Sequence, residues 1–254
     1  MLNLGLTSVT FNSLSPSEII DYCKTAGVNV IEWAGRTHAI AGEPEGAREI
    51  KRLSDEAGIK ISSYGSYYKC GTYESASEEF SKHIEIAKIL GAKTIRIWTG
   101  TKNFSDADEE YIDKIVAELR LMCDMAELEG IEIGCEFHNG TVTNTRASSL
   151  EICKRVGKKN FGMYFQYDPR VDVEENMKTL VDFLPILKNV HVFNVTPEIK
   201  RNSISDEFGT TLWQGFVAIL KESNKDANLI LEFLPDPTCE CLVTEADAIR
   251  KIVG

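Results

Sequence analysis

Short apolar runs alternate with amphipathic stretches along the whole chain, and one kind of junction recurs between them. An amphipathic stretch ends in glycine and an apolar run follows at once. The junctions are Gly27-Val-Asn-Val-Ile-Glu-Trp33, Gly58-Ile-Lys-Ile-Ser-Ser-Tyr64, Gly91-Ala-Lys-Thr-Ile-Arg-Ile-Trp98, Gly130-Ile-Glu-Ile-Gly-Cys-Glu136 and Gly157-Lys-Lys-Asn-Phe-Gly-Met-Tyr164. Glycine just past a helix end takes the left-handed conformation that other residues resist. Five such junctions, about 27–39 residues apart, argue for a repeated strand–helix unit.

The pattern predicts strands over 3–9, 28–33, 59–64, 93–98, 131–137, 161–166, 188–194 and 228–233. It predicts helices over 16–26, 44–57, 74–90, 106–129, 146–156, 173–184, 211–222 and 243–252. Ser15, Pro16 and Glu18 form a capping box with proline at the first helical position. Phe80, Ile84, Ala87 and Leu90 share one helical face. Eight strands alternating with eight helices, without a Pro/Gly/Ser-rich linker, predict a single-domain (β/α)8 barrel, an α/β fold spanning residues 1–254. The alternative, an open doubly wound sheet, usually carries a G-x-G-x-x-G turn, which the chain lacks.

Strands of a parallel barrel are buried on both faces and are expected to be apolar throughout. Here polar groups gather at their C-terminal ends: Glu32 and Trp33, Tyr64, Trp98, Glu136 and His138, Gln166 and Asp168, His191 and Asn194, and Glu232. In this fold those ends converge on the mouth where catalysis occurs. Glu136 in Ile-Gly-Cys-Glu-Phe-His and Glu232 in Leu-Ile-Leu-Glu-Phe-Leu are embedded in apolar sequence. A buried carboxylate needs a metal, a cation or a proton. His191 alone would read as a hydrogen-bonded core histidine, but two buried carboxylates nearby favour ligation. Glu32 reads as a mouth carboxylate or a solvated one. Trp33, Tyr64 and Trp98 serve either packing or stacking on a sugar. His38 is a lesser mouth candidate, and His83, in mid-helix, is expected at the surface.

Composition adds limits. The 254 residues include 39 acids against 28 Lys and Arg, a net charge of −11. An acidic surface repels phosphate backbones, so nucleic acid is not expected as a partner. No apolar stretch approaches the length of a membrane span, and no signal segment is recognisable, so a cytoplasmic protein is expected. Seven irregularly spaced cysteines read as reduced core thiols, and Cys239-Glu-Cys241 lacks the second pair of a zinc site.

These residues resemble the xylose isomerase-like barrels, in particular the sugar-phosphate isomerase/epimerase group. The resemblance spans essentially the whole chain. It rests on Gly27-Val-Asn-Val-Ile-Glu32, on Glu136-Phe-His138 with Asn144-Thr145, on Val190-His191-Val-Phe-Asn194, and on Leu231-Glu232. It implies a divalent metal held by Glu136, His191, Glu232 and the strand-six position. The family usually has Asp there; this chain offers Gln166, with Asp168 two residues on. Asn194 likewise replaces a family acid, so metal binding is expected to be weak. The implied ion is Mn²⁺ or Mg²⁺, with Zn²⁺ or Co²⁺ as alternatives. The implied substrate is a small carbohydrate lined by Glu32, Trp33, Tyr64, Trp98, His138, Asp168 and Asn194. A homo-oligomer remains open.

The chemistry this predicts is proton transfer beside a carbonyl, with Glu136 and Glu232 as the two acid–base groups of an isomerase or epimerase. A keto-polyol dehydratase would use the same groups. A sugar-binding barrel without metal is the non-catalytic alternative. An apurinic-site endonuclease needs more ligands than four histidines supply, and a Schiff-base aldolase needs a lysine at an inner strand end. The strand-eight loop Pro235-Asp-Pro-Thr-Cys239 has no glycine, so an unphosphorylated substrate is expected.

Overall fold

The computed structural model describes residues 1–254. Its strands are β1 Leu2–Thr7, β2 Val30–Ala34, β3 Lys60–Lys69, β4 Thr94–Trp98, β5 Glu132–Glu136, β6 Phe161–Phe165, β7 Leu187–Val192 and β8 Ala227–Leu231. Its main helices are α1 Pro16–Thr25, α2 Pro44–Glu56, α3 Ala76–Leu90, α4 Glu109–Glu127, α5 Arg146–Val156, α6 Val173–Phe183, α7 Glu207–Glu222 and α8 Cys239–Val253. The strands hydrogen-bond in sequence order as a closed barrel, as the alternating pattern predicts. Within it, contacts define two units: residues 1–32, 52–60 and 165–254, and residues 33–51 and 61–164.

Local signals account for most element ends. Ser15 caps α1 with the reciprocal Glu18 bond of a capping box. Gly91 and Gly157 end α3 and α5 in the left-handed conformation, at φ 67° and 63°. Two helices start earlier than the pattern suggests. Asp206 caps α7 at Glu207, not 211, and Thr238 caps α8 at Cys239, not 243. Both caps precede the first apolar position, so hydrophobic periodicity alone starts the helix a turn late.

In the first unit β1 pairs with β2 and β8, and β7 with β8, all parallel. Leu6, Ile31, Val190, Val192, Leu229 and Leu231 are buried along them. Each fully buried aliphatic side chain contributes about 1.5–3 kcal/mol. One polar file crosses this apolar set: Asn3 Nδ2 donates to Asn228 Oδ1 at 3.1 Å, and Asn228 Nδ2 to Asn189 Oδ1 at 2.8 Å. In the second unit β4 pairs with β3 and β5, and β5 with β6. Gly134 on β5 is required there, because a Cβ would stand 2.4 Å from the Tyr164 ring.

β3 is the main departure from the expected strands. It runs to Lys69, five residues past its predicted end. Gly65 faces Arg96 and Tyr68 faces the next residue, Ile97, so Ser66 and Tyr67 bulge out of the ladder. Ser66 Oγ closes the bulge, donating to the Arg96 carbonyl at 2.6 Å and accepting from Tyr68 N at 3.2 Å. Tyr67 takes φ 59°. That conformation costs a non-glycine residue about 1–2 kcal/mol. No helix is long and apolar enough to cross a membrane.

Candidate active site

His191 on β7 is fully buried and has oxygen atoms against both ring nitrogens. Nδ1 lies 3.1 Å from Gln166 Oε1 and 3.2 Å from Glu232 Oε2, and Nε2 lies 3.4 Å from Glu32 Oε1. The four residues sit at strand ends. Glu32 is on β2, Gln166 directly follows β6, and Glu232 directly follows β8, where its N–H donates to the Val192 carbonyl at 2.9 Å. Glu32 is 0 % and Glu232 2 % exposed, so the cost of burying their charge has to be met locally.

The donor set tests whether a metal fits. A neutral imidazole carries one N–H and cannot donate to oxygens on both sides. With Nε2–H turned toward Glu32, 3.4 Å away, the Nδ1 lone pair faces the oxygens of Gln166 and Glu232, and a cation among these three resolves the conflict. A carboxylate on the far nitrogen is the usual device for orienting a metal-binding histidine. Oxygen donors with one imidazole suit Mn²⁺, Mg²⁺ or Zn²⁺. The residues present fit a divalent ion.

Glu136, at the end of β5, has a different neighbourhood. Its Oε2 accepts from the Arg96 guanidinium and from Trp98 Nε1. Arg96 is 1 % exposed, and this partner offsets the cost of burying the Glu136 charge. Trp98 stacks on His138, with centroids 4.9 Å apart at 21°. Tyr67 packs obliquely on Trp98 at 5.9 Å, and the Arg96 guanidinium lies 4.9 Å from the Tyr67 centroid. Lys69 Nζ is 4.6 Å over the Trp98 ring. Thr143 Oγ1 donates to the Glu136 carbonyl at 3.1 Å and pairs with Thr99 Oγ1 at 2.7 Å, which ties the loops after β4 and β5 together.

The remaining candidates lie elsewhere. Tyr64 is fully buried, and its hydroxyl bonds His83 Nδ1 at 3.1 Å. It packs toward α3 and presents no face to a ligand. His83 is not at the surface: it is 4 % exposed, and desolvation lowers its pKa to about 4. Helical position alone did not reveal that its face of α3 packs against Tyr64 and Tyr68. Trp33 is fully buried against His38, edge to face at 5.8 Å. The Asp168 carboxylate is committed to Arg170, with Nε and Nη2 both donating at 2.7 Å, so it does not replace Gln166 as the oxygen beside His191. Asn194 turns its amide to the Ser203 carbonyl at 2.8 Å and to Asp206, the α7 cap. It supports a loop and helix start there.

Arg96, Tyr67 and Lys69 were missed by sequence reasoning. Arg96 carries the same signal as Glu136, a charge inside an apolar strand, Thr-Ile-Arg-Ile-Trp98. Tyr67 and Lys69 had no such signal, because only the bulge brings them to this cluster. All seven cysteines are free thiols; Cys23, Cys70, Cys123 and Cys135 are buried in the core, where burial pushes Cys23 up to about 12, while Cys153, Cys239 and Cys241 are half-buried.

Comparison with known proteins places the fold. A curated 3-dehydroshikimate dehydratase of Bacillus anthracis is 24% identical over 172 residues, covering 63% of this chain and 59% of that protein. The chain therefore matches less than two thirds of that relative's length. The crystal structure of the probable 3-DHS dehydratase of Bacillus anthracis superposes with a TM-score of 0.77, at 15% identity over 98% of this chain and 99% of that one. A D-allulose 3-epimerase from Methylomonas sp. gives 0.78, at 16% identity over 99% and 98%. A 3-keto-D-glucoside 4-epimerase from E. coli gives 0.76, at 16% identity over 99% of both chains. At such identities the likeness is one of fold. The family pattern itself matches residues 20–252, and the chain belongs to the xylose isomerase-like TIM barrel family.

Proposed function

We propose that the protein is a divalent-metal-dependent enzyme that moves a proton beside the carbonyl of a polyhydroxylated ketone, as an isomerase or epimerase does. The observation that carries this reading is the buried His191 with Glu32, Gln166 and Glu232 around its two nitrogens. His191 Nδ1, Gln166 Oε1 and Glu232 Oε2 are the atoms that would hold the ion. A bound ion would polarise the ketone oxygen and stabilise the negative charge that develops there. Glu32 keeps the His191 ring in orientation. Glu232 takes the α-proton from the substrate carbon, and Glu136 is the second acid–base group, its Oε2 held by Arg96 and Trp98. Burial of these groups excludes water, which strengthens each electrostatic contact.

A dehydratase is the second reading, favoured by the match to 3-dehydroshikimate dehydratase. It shares the proton abstraction and then expels a β-hydroxyl in place of returning the proton. The test is solvent exchange. Protein with added Mn²⁺ is incubated in D₂O with D-fructose, D-allulose and 3-dehydroshikimate and followed by NMR. Deuterium at the carbon beside the carbonyl, abolished by chelator, is the expected result; an epimer or an unsaturated product then assigns the reaction. No Mn²⁺ binding and no exchange on any of them would overturn the proposal.

A further inference from the structure

The β3 bulge builds something that a site for a neutral polyol does not require. Tyr67, Lys69, Trp98 and His138 form a half-buried aromatic shelf above the buried Arg96–Glu136 pair. Two cations besides Arg96 rest on its rings: Lys69 Nζ 4.6 Å over Trp98, and the exposed Arg36 guanidinium 6.0 Å from the Tyr67 centroid. Neither makes an ion pair with a carboxylate, in a chain with 39 acidic residues. The shelf exists because Tyr67 is held in the left-handed conformation, at φ 59°. Without the two extra residues, the ladder would place neither Tyr67 nor Lys69 as it does. Backbone strain that gathers cations and aromatic faces, beside a carboxylate proposed to act on substrate, is a mark of recognition rather than of packing.

We infer that this shelf is a carboxylate-binding subsite and that the substrate is a cyclic polyhydroxy ketone carrying an acid group. The inference rests on the proposed proton-transfer reading and adds the class of molecule. The acid meets Lys69 and Arg36, and the ring lies on the aromatic faces. Lys69 has a long flexible stem, so its ammonium can leave the indole to meet the acid and uncover the Trp98 face for the ring. Trp33 and Trp213, the two other tryptophans, are fully buried. A ligand-dependent change in tryptophan emission therefore reports chiefly on Trp98.

The probes are shikimate, its methyl ester, D-fructose and D-fructose 6-phosphate, titrated against tryptophan fluorescence with and without Mn²⁺. Shikimate is expected to bind about tenfold or more tighter than its ester, which keeps the ring and loses the charge. Lys69→Met should abolish that preference, and Arg36→Gln should reduce it, with melting temperature and Mn²⁺ affinity unchanged in both. Equal affinity for acid and ester, tighter binding of either fructose compound, or a preference that survives Lys69→Met would each overturn the inference. Failure of the wild type to bind Mn²⁺ would instead count against the proposed function, since the acid preference is also read without metal.

Discussion

His191 and Glu136 are both buried among charged partners, and the partners are opposite in kind. Around His191 stand two carboxylates and an amide oxygen. Around Glu136 stand an arginine, an indole N–H and, on the rings above, a lysine. The first group gathers carboxylates around a buried imidazole, where a proton or a metal would offset their charge. The second is already balanced by its own guanidinium. The lesson is that a carboxylate in an apolar strand signals chemistry only after its nearest cation has been found.

The largest effect is expected on the His191 side. Glu232→Gln should lower the solvent-exchange rate by about 10³-fold, within the range for loss of a general base, while leaving the melting temperature near that of wild type. An exchange rate within a few-fold of wild type would remove Glu232 from the chemistry. The Glu136 side should instead respond in stability. Arg96→Met leaves a buried carboxylate without its ion partner and should cost roughly 3–5 kcal/mol in urea unfolding. A loss under about 1 kcal/mol would show that the pair is not desolvated as its burial indicates.

A third contrast lies in pH. His83 has its pKa lowered to about 4 by desolvation, against an ordinary value near 6.5. The unfolded chain thus binds this proton more readily than the folded one. The stabilisation is fully present above pH 6.5 and is lost as the pH falls toward 4. It amounts to roughly 3 kcal/mol. His83→Gln should flatten this part of the stability–pH curve when unfolding is followed between pH 7 and 4. An unchanged slope would reassign the acid sensitivity to other groups. The smallest effect concerns Gln166. Gln166→Asp replaces an ion–dipole contact with an ion–anion one and should tighten Mn²⁺ binding about tenfold by calorimetry, while the wild type loses its metal on dialysis. Equal or weaker affinity in the variant would place Gln166 outside the ligand set.

The fold was legible because its signal repeats. Glycines 27, 58, 91, 130 and 157 all take positive φ, and each precedes a strand in the expected place. The His191 group was legible in part, because Glu232, His191 and Gln166 interrupt apolar strands. Glu32 was read as a substrate contact, and only its 3.4 Å approach to His191 Nε2 shows that it belongs with the imidazole. Tyr64 and Trp33 were ambiguous for a physical reason: an aromatic residue at a strand end looks the same whether it faces the mouth or the helix layer. The bulge was illegible, since Tyr-Gly-Ser-Tyr-Tyr-Lys69 carries no periodicity that separates a regular strand from one with two residues displaced.

The asparagine file along β1, β8 and β7 has a consequence for folding. Strands that are apolar on both faces can slide by two residues and bury nearly the same surface, so hydrophobicity specifies their register weakly. A slip of that size would take Asn3 away from Asn228, and Asn228 away from Asn189, and break both amide hydrogen bonds at half-buried positions. Asn3 and Asn228 are 225 positions apart in the chain. The contact that checks the register of β1 against β8 thus joins the two ends of the sequence, where loop closure is slowest to be rewarded. Misaligned closure is penalised at the one step that the chain cannot complete until its last strand is present.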